Sequence, residues 1–386
     1  MEIGDICRLR LESIVPGGDA LARFEGKPVF VEKGAPDETI LCRIIEDRKT
    51  WARAELMEIV NPSPERIQAK CAFYKKCGGC SLQHITYDAQ LAAKTGILKD
   101  SFLKIGAIEI PQPEIFPSPP WEYRNRMQFH CFRQKKSDSK FGLMGQGGEI
   151  IAISDCPVAV PAIRDILKKG QTLSLPPEKD RFTVFAKDGV LLNEGGTQKG
   201  KIKLLDKEIS LDAGVFFQSN CLMLEKLVLD LRKTAEGADT SLPAADLYCG
   251  AGTFAVFLGE LFPKIILAEE NKTSVSLARE NLKGINAEYF ALRDTEWAET
   301  FIRCKTTPEG FGFAVTDPPR TGLAAKLAAA LACNGPPVIA YVSCDAASLS
   351  RDSKILTNGG YKLKEIKLFD FYPQTAHIES LAVFER

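Results

Sequence analysis

Polar and apolar positions follow three rhythms along this chain, and each predicts a different kind of structure. Over the first 60 residues, short apolar runs at 6–11, 29–31, 39–45 and 52–60 are separated by turn clusters such as Pro16-Gly17-Gly18-Asp19. This predicts a small all-β barrel, which in some proteins binds RNA and in others is a structural appendage. Asn61-Pro62-Ser63-Pro64 follows as a stiff boundary. Residues 87–105 return Leu91, Thr95, Leu98 and Phe102 to one side of a helix, and the proline-rich stretch 111–120 reads as an extended connector. Strand-like runs at 141–153 and 181–192 indicate an α+β middle region, and residues 222–231 an amphipathic helix.

Beyond residue 240 the rhythm becomes a regular β-α alternation, with strands near 243–247, 264–268, 288–292, 311–316 and 337–342 and two further strands at 361–370 and 378–384. An open, mostly parallel sheet is expected, with its ligands beyond the carboxyl ends of the strands. The expected division is a barrel at 1–60, a central α+β region at 61–210, and an α/β region at 211–386.

Composition narrows the class. A length of 386 residues allows two or three domains, and 45% apolar with 26% charged residues describes an ordinary globular protein. No apolar run approaches the ~20 residues that span a bilayer, and the start Met-Glu-Ile-Gly-Asp is unlike a signal peptide, so a cytoplasmic setting without a membrane partner is expected. Basic and acidic residues balance at 50 each, although positive charge gathers between 61 and 157. Twelve cysteines in such a chain point to metal, catalysis or buried thiols rather than disulfides.

The candidate chemistry lies at strand ends. Asp246-Leu-Tyr-Cys-Gly-Ala-Gly-Thr-Phe254 reads as strand, glycine turn and helix, where Gly250 and Gly252 let backbone approach a nucleotide-like cofactor and helix amides offer partial positive charge. Glu269, about 20 residues on, is placed to accept ribose hydroxyls, with Glu270 as its rival. Ala255 stands where a dinucleotide fingerprint has its third glycine, which favours S-adenosylmethionine over NAD. Gln218 and Asn220 flank a helix start, and a helix cap accounts only for Asn220.

Strand four ends in Asp317-Pro318-Pro319-Arg320 and strand five in Ser343-Cys344-Asp345. Cys344 near a helix amino end is a candidate nucleophile with a lowered thiol pKa, as against a small buried hydrophobe. Glu379 is a candidate base. A thiolate adding to carbon 6 of uracil activates carbon 5 towards a sulfonium methyl group, and a base then removes the carbon 5 proton. Asp317 would hold the polar edge of the base, and Arg320 a phosphate or the edge carboxylate.

Cys71, Cys77 and Cys80 need a fourth thiolate, best supplied by Cys156, to hold either an iron-sulfur cluster or zinc. The run from Trp121 to His130 interleaves aromatics with arginines, so Arg124, Arg126 and Phe129 are candidate RNA contacts, while a strand with one solvated face explains the same pattern.

Together, Phe-Phe-Gln-Ser-Asn, the glycine turn, Asp317-Pro-Pro, Val-Ser-Cys344-Asp and Glu379 resemble the RNA uracil-5-methyltransferases, particularly the barrel-bearing enzymes that act on 23S ribosomal RNA. The resemblance covers nearly the whole chain. It implies a Rossmann-like class I methyltransferase domain, an N-terminal OB-fold or TRAM barrel, and an α+β middle domain whose Cys71, Cys77, Cys80 and Cys156 hold a [4Fe-4S] cluster. It further implies S-adenosyl-L-methionine bound by Gln218, Tyr248, Gly250, Thr253, Glu269, Asp294 and Asp317, with Cys344 as nucleophile and Glu379 as base. Thr253 stands where some members carry asparagine, and Arg293 is the alternative to Asp294.

The expected activity is methylation of a uridine in 23S rRNA by a monomer, with tRNA as the alternative substrate and a non-catalytic RNA-binding protein as the alternative class. Arg320 after the prolines speaks against an amino-group methyltransferase, and the lack of a cysteine there against an RNA cytosine-5-methyltransferase.

Overall fold

A computed structural model of the chain describes residues 1–133, 139–169, 179–304 and 310–386. Strands Ile6–Ile14, Ala20–Phe24, Lys27–Val31, Thr39–Asp47 and Ala52–Asn61 close into a barrel. Period-2 patterning drives closure: Cys7, Leu9 and Leu11 point inward, while Ile6, Arg8 and Arg10 are exposed. The strand Ala20–Phe24 was not among the expected apolar runs, although four of its five residues are apolar. Its hairpin is set by Glu25 and Gly26, both left-handed at φ 49° and 83°.

The middle region is an antiparallel sheet in the order Val190–Asn193, Arg181–Lys187, Arg126–Arg133, Ser139–Met144, Ile150–Ile151. Phe129, Phe141 and Phe182 meet on its inner face under helix Pro161–Lys168. A separate hairpin, Lys199–Leu204 with Lys207–Asp212, leads into helix Cys221–Glu236.

The remaining sheet has eight strands in the order Ala287–Phe290, Ile265–Ala268, Ala244–Leu247, Phe313–Thr316, Val338–Ser343, Glu379–Glu385, Lys362–Phe369, Glu114–Phe116. The proline-rich connector thus contributes an edge strand, with Phe116 stacked 4.3 Å from Phe369. Parallel register aligns Leu247 with Ala268 and Thr316, so Tyr248, Glu269 and Asp317 leave the sheet at one edge. Glu379–Glu385 runs antiparallel to Val338–Ser343 with Ser380 opposite Ser343. The last residue of one strand therefore lies beside the second of the other, which brings Cys344 and Glu379 to the same end.

Helix Tyr87–Ser101, capped by Thr86, buries Gln90 and Lys94 along with Thr95 and Leu98, while Leu91 is only half-buried. Its polar residues turn inward because the surface beneath is polar: Lys94 Nζ lies 2.5 Å from Asp370 Oδ1 and donates to the Tyr372 carbonyl at 2.9 Å. No helix among the described residues is long and apolar enough to cross a membrane.

Candidate active site

The glycine turn begins with a non-glycine residue in a left-handed conformation, Tyr248 at φ 58°. That backbone aims its hydroxyl at Asp294 Oδ2, 2.9 Å away. Gly250 (φ 54°) faces open space, whereas a Cβ on Gly252 (φ 76°) would lie 2.6 Å from Leu282 Cδ1, so the first glycine leaves room for a ligand and the second permits packing. The helix that follows, Thr253–Leu258, has six residues. The turn's own amides therefore matter more here than a helix macrodipole.

Glu269 accepts from the Gly250 N–H at 3.1 Å and the Asn271 N–H at 2.8 Å, while Glu270 is exposed and 3.8 Å from Arg293. Asp294 lines the cleft and Arg293 does not. Below the turn, buried Asp246 accepts from the Ala255 N–H at 3.1 Å, and its other oxygen has no partner. Burial pushes this carboxyl up to about 8, against the pull of that N–H, with Asp317 and Glu269 adding to the rise.

Opposite the turn, Asn220 caps helix Cys221–Glu236 by accepting from Met223. Gln218 is free for other work. Its Nε2 donates to Asp317 Oδ2 at 3.4 Å, and its buried Oε1 has no protein partner. Asp317 is pushed up to about 7 by burial, with the Gln218 hydrogen bond pulling the other way.

Cys344 follows its strand directly, and Asp345 caps the next helix by accepting from the Ser348 N–H at 2.8 Å. The thiol is pushed up to about 12, first by burial and then by the negative charges of Glu379 and Asp317, with Arg320 opposing. This corrects the expectation of a lowered thiol pKa: burial first, and then the neighbouring carboxylates, disfavour the thiolate. Glu379 is 2% exposed, its Oε1 has no partner, and burial followed by Asp317 raises its pKa well above the ordinary carboxylate value. Arg320 stands exposed on the rim, its Nη2 3.4 Å from His377 Nδ1.

Cys344, Glu379, Gln218, Asp317, Tyr248, Gly250, Thr253, Glu269 and Asp294 all line one cleft of about 900 Å³, joined by Arg124, Arg126 and Arg320. Cys71, Cys77, Cys80 and Cys156 converge separately, around a cavity of about 40 Å³. Burial raises these thiols too, Cys80 to about 12 and Cys156 to about 11.

With this geometry in view, comparison with known proteins is informative. The family described as tRNA (Uracil-5-)-methyltransferase matches residues 199–386. A Treponema denticola protein named "Uncharacterized RNA methyltransferase" is 31% identical over 98% of this chain and 98% of its own. The chain belongs to the RNA (uracil-5-)methyltransferase family. The 23S rRNA (uracil(1939)-C(5))-methyltransferase RlmD of Pseudomonas entomophila is 28% identical over 99% of this chain and 94% of its own. The fold is that of the Pyrococcus abyssi tRNA (uracil-54, C5)-methyltransferase solved with S-adenosyl-L-homocysteine, at a TM-score of 0.74 and 22% identity over 98% of this chain and 100% of that one.

In this methyltransferase one expected RNA contact is overturned. Phe129 is fully buried, 4.9 Å from the Phe141 ring and 5.7 Å from the Phe182 ring, and has no face left for a base. The interleaving of aromatic and arginine is the period of the strand Arg126–Arg133, which turns Met127, Phe129 and Cys131 inward. Three cleft residues escaped sequence reasoning. Phe216 is 62% exposed beneath the Arg126 guanidinium at 5.7 Å, and Tyr372 and His377 come from the loop before Glu379. The Phe216-Phe217 pair held a usable signal: in extended backbone only one of two adjacent aromatics faces the core, here Phe217.

Proposed function

We propose that this enzyme transfers a methyl group from S-adenosyl-L-methionine to carbon 5 of a uridine in 23S rRNA through a temporary Cys344 adduct at carbon 6. The observation that carries this reading is the antiparallel register that sets Cys344 beside Glu379 in the cleft that also holds the glycine turn.

The residues fit the cofactor. Glu269 presents carboxylate oxygens, Gln218 a buried unpartnered Oε1, and Gly250 an approach free of side chain. Bound there, S-adenosylmethionine supplies an electrophilic methyl group and a positive charge. With its proton lost to water, the Cys344 thiolate bonds to carbon 6, and the carbon 5–carbon 6 π pair moves to carbon 5, which attacks the methyl group. Asp317, protonated or hydrogen-bonded through Gln218, meets the polar edge of the base. After transfer, the Glu379 carboxylate takes the carbon 5 proton and the carbon–sulfur bond breaks, returning Cys344 as thiolate. A high proton affinity suits Glu379 to that task.

The four-cysteine cavity is read as a [4Fe-4S] site. Cys71, Cys77, Cys80 and Cys156 ring one cavity, an all-thiolate donor set of the kind that holds such a cluster. The barrel is read as an RNA-binding module.

A tRNA substrate is the second reading, favoured by the description of the matching family. The test is to incubate the enzyme with methyl-labelled cofactor and either unmodified 23S rRNA or unmodified tRNA, then map the product. 5-Methyluridine in 23S rRNA alone supports the proposal. Label only in tRNA replaces the substrate, and label on another base overturns the reaction.

A further inference from the structure

The loop between strands Lys362–Phe369 and Glu379–Glu385 supplies Tyr372 and His377 to the cleft wall and leads into Glu379. Gln374 within it has no part in the covalent chemistry. It is nevertheless 3% exposed and sits at φ 69°, a left-handed conformation that costs a non-glycine residue free energy and persists only where its surroundings over-determine it.

Three separate stretches supply that constraint. Gln90 accepts from the Gln374 N–H at 2.8 Å and donates from its own Nε2 to Gln374 Oε1 at 3.1 Å. Ser81 and Leu82, immediately after Cys80, both donate their N–H groups to the Gln374 carbonyl at 3.0 Å. Gln374 Nε2 donates to the Pro120 carbonyl at 3.3 Å. Downstream, the Ala376 N–H donates to Ser81 Oγ at 3.0 Å and the His377 N–H to Thr375 Oγ1 at 3.2 Å. The barrel closes on the same point: a Cβ on Gly18, at φ 100°, would lie 2.7 Å from Ser81 Cβ and 3.5 Å from Ala376 Cβ.

We infer that Gln374 is a positioning residue: it locks the Tyr372–Glu379 loop to the Cys80–Leu82 turn, helix Tyr87–Ser101 and the barrel, and so fixes the wall against which Glu379 meets the carbon 5 proton. This deepens the covalent reading and rests on it. The step it serves is elimination. The Glu379 carboxylate takes the proton, the carbon–hydrogen electron pair becomes the new carbon 5–carbon 6 π bond, and the carbon 6–sulfur pair leaves with Cys344. The rival explanation is that strand pairing, Phe369 opposite Glu379, positions the base unaided.

Two variants decide between them. Gln374→Gly keeps the left-handed backbone free of strain and deletes the side-chain bonds; Ser81→Ala deletes one hydroxyl. In each, S-adenosylhomocysteine affinity, RNA KM, turnover, and the fraction of protein carried as RNA adduct on a denaturing gel are measured. Gln374→Gly is expected to lower turnover roughly tenfold to a hundredfold. The adduct fraction should rise, while cofactor-product affinity and RNA KM hold. Ser81→Ala should shift turnover and adduct in the same direction by less, and decides alone if Gln374→Gly does not fold. Wild-type turnover and adduct fraction in a folded variant overturn the inference, as does a loss of turnover that tracks lost S-adenosylhomocysteine affinity with no added adduct. Cys344→Ala runs alongside: if wild-type enzyme forms no Cys344-dependent adduct, the covalent reading itself fails and the positioning role falls with it.

Discussion

The two cavities share a wall, since Gly79 and Arg124 line both, yet they are built in opposite ways. The cleft opens at the ends of parallel strands and leaves buried polar atoms without protein partners, Gln218 Oε1 and Glu379 Oε1 among them. The cysteine cavity is some twentyfold smaller, is made mostly by loops, and turns sulfur inward among Phe73, Met127 and Leu143. Buried polar groups without partners cost free energy, and a fold retains them where a ligand completes them. Sulfurs in an apolar pocket need no such completion from RNA, so the first space suits reaction and the second suits holding.

The sharpest way to break that contrast is Cys344→Ala. Methyl transfer should fall by roughly 10⁴ or more. S-adenosylhomocysteine binding and iron content should stay unchanged; transfer at the wild-type rate would remove the covalent mechanism. Glu379→Gln should slow turnover by about 10²–10⁴. It should also leave a slow-migrating RNA–protein band. In wild-type enzyme, transfer should climb with pH through neutrality, because both Cys344 and Glu379 hold their protons more tightly than usual. A flat profile would contradict these raised proton affinities.

Cys80→Ser addresses the other cavity. Anaerobically purified protein should lose its brown colour and iron and lower its unfolding free energy, since binding in a metal site contributes to folding. Colourless wild-type protein containing zinc would refute the cluster.

The smallest effect concerns neither cavity directly. Asp246 titrates near 8 in the folded state, above the ordinary carboxylate value of about 4. The folded form therefore binds this proton more tightly than the unfolded chain, and the stability it contributes is full in acid and is lost as pH rises towards 8. Asp246→Asn should flatten that loss by about 1–3 kcal/mol. Equal pH slopes in urea unfolding of the two proteins would contradict the assignment.

How far the sequence carries can be judged residue by residue. The barrel's alternation and the β-α repeat announce themselves because burial follows period 2 in strands and because glycines mark the turn at Gly250 and Gly252. Phe129 could not be assigned so easily, since an aromatic beside an arginine looks the same whether the strand turns it to solvent or to core. The edge strand Glu114–Phe116 was hidden for another reason: among prolines, three residues pair only because Lys362–Phe369 offers a free edge.

Local chemistry, then, was written in the chain: which sulfur could attack, which carboxylates stood at strand ends, which cysteines shared a spacing. Tertiary structure alone decided what their neighbours did to them. The Cys344 thiol rises rather than falls because folding buries it, and then because it sets the carboxylates of Glu379 and Asp317 beside it. Gln90 and Lys94 lie inside a helix face because Asp370 and Gln374 wait there. Charge and desolvation act across space and are set by what packs nearby, which residues hundreds of positions apart determine together.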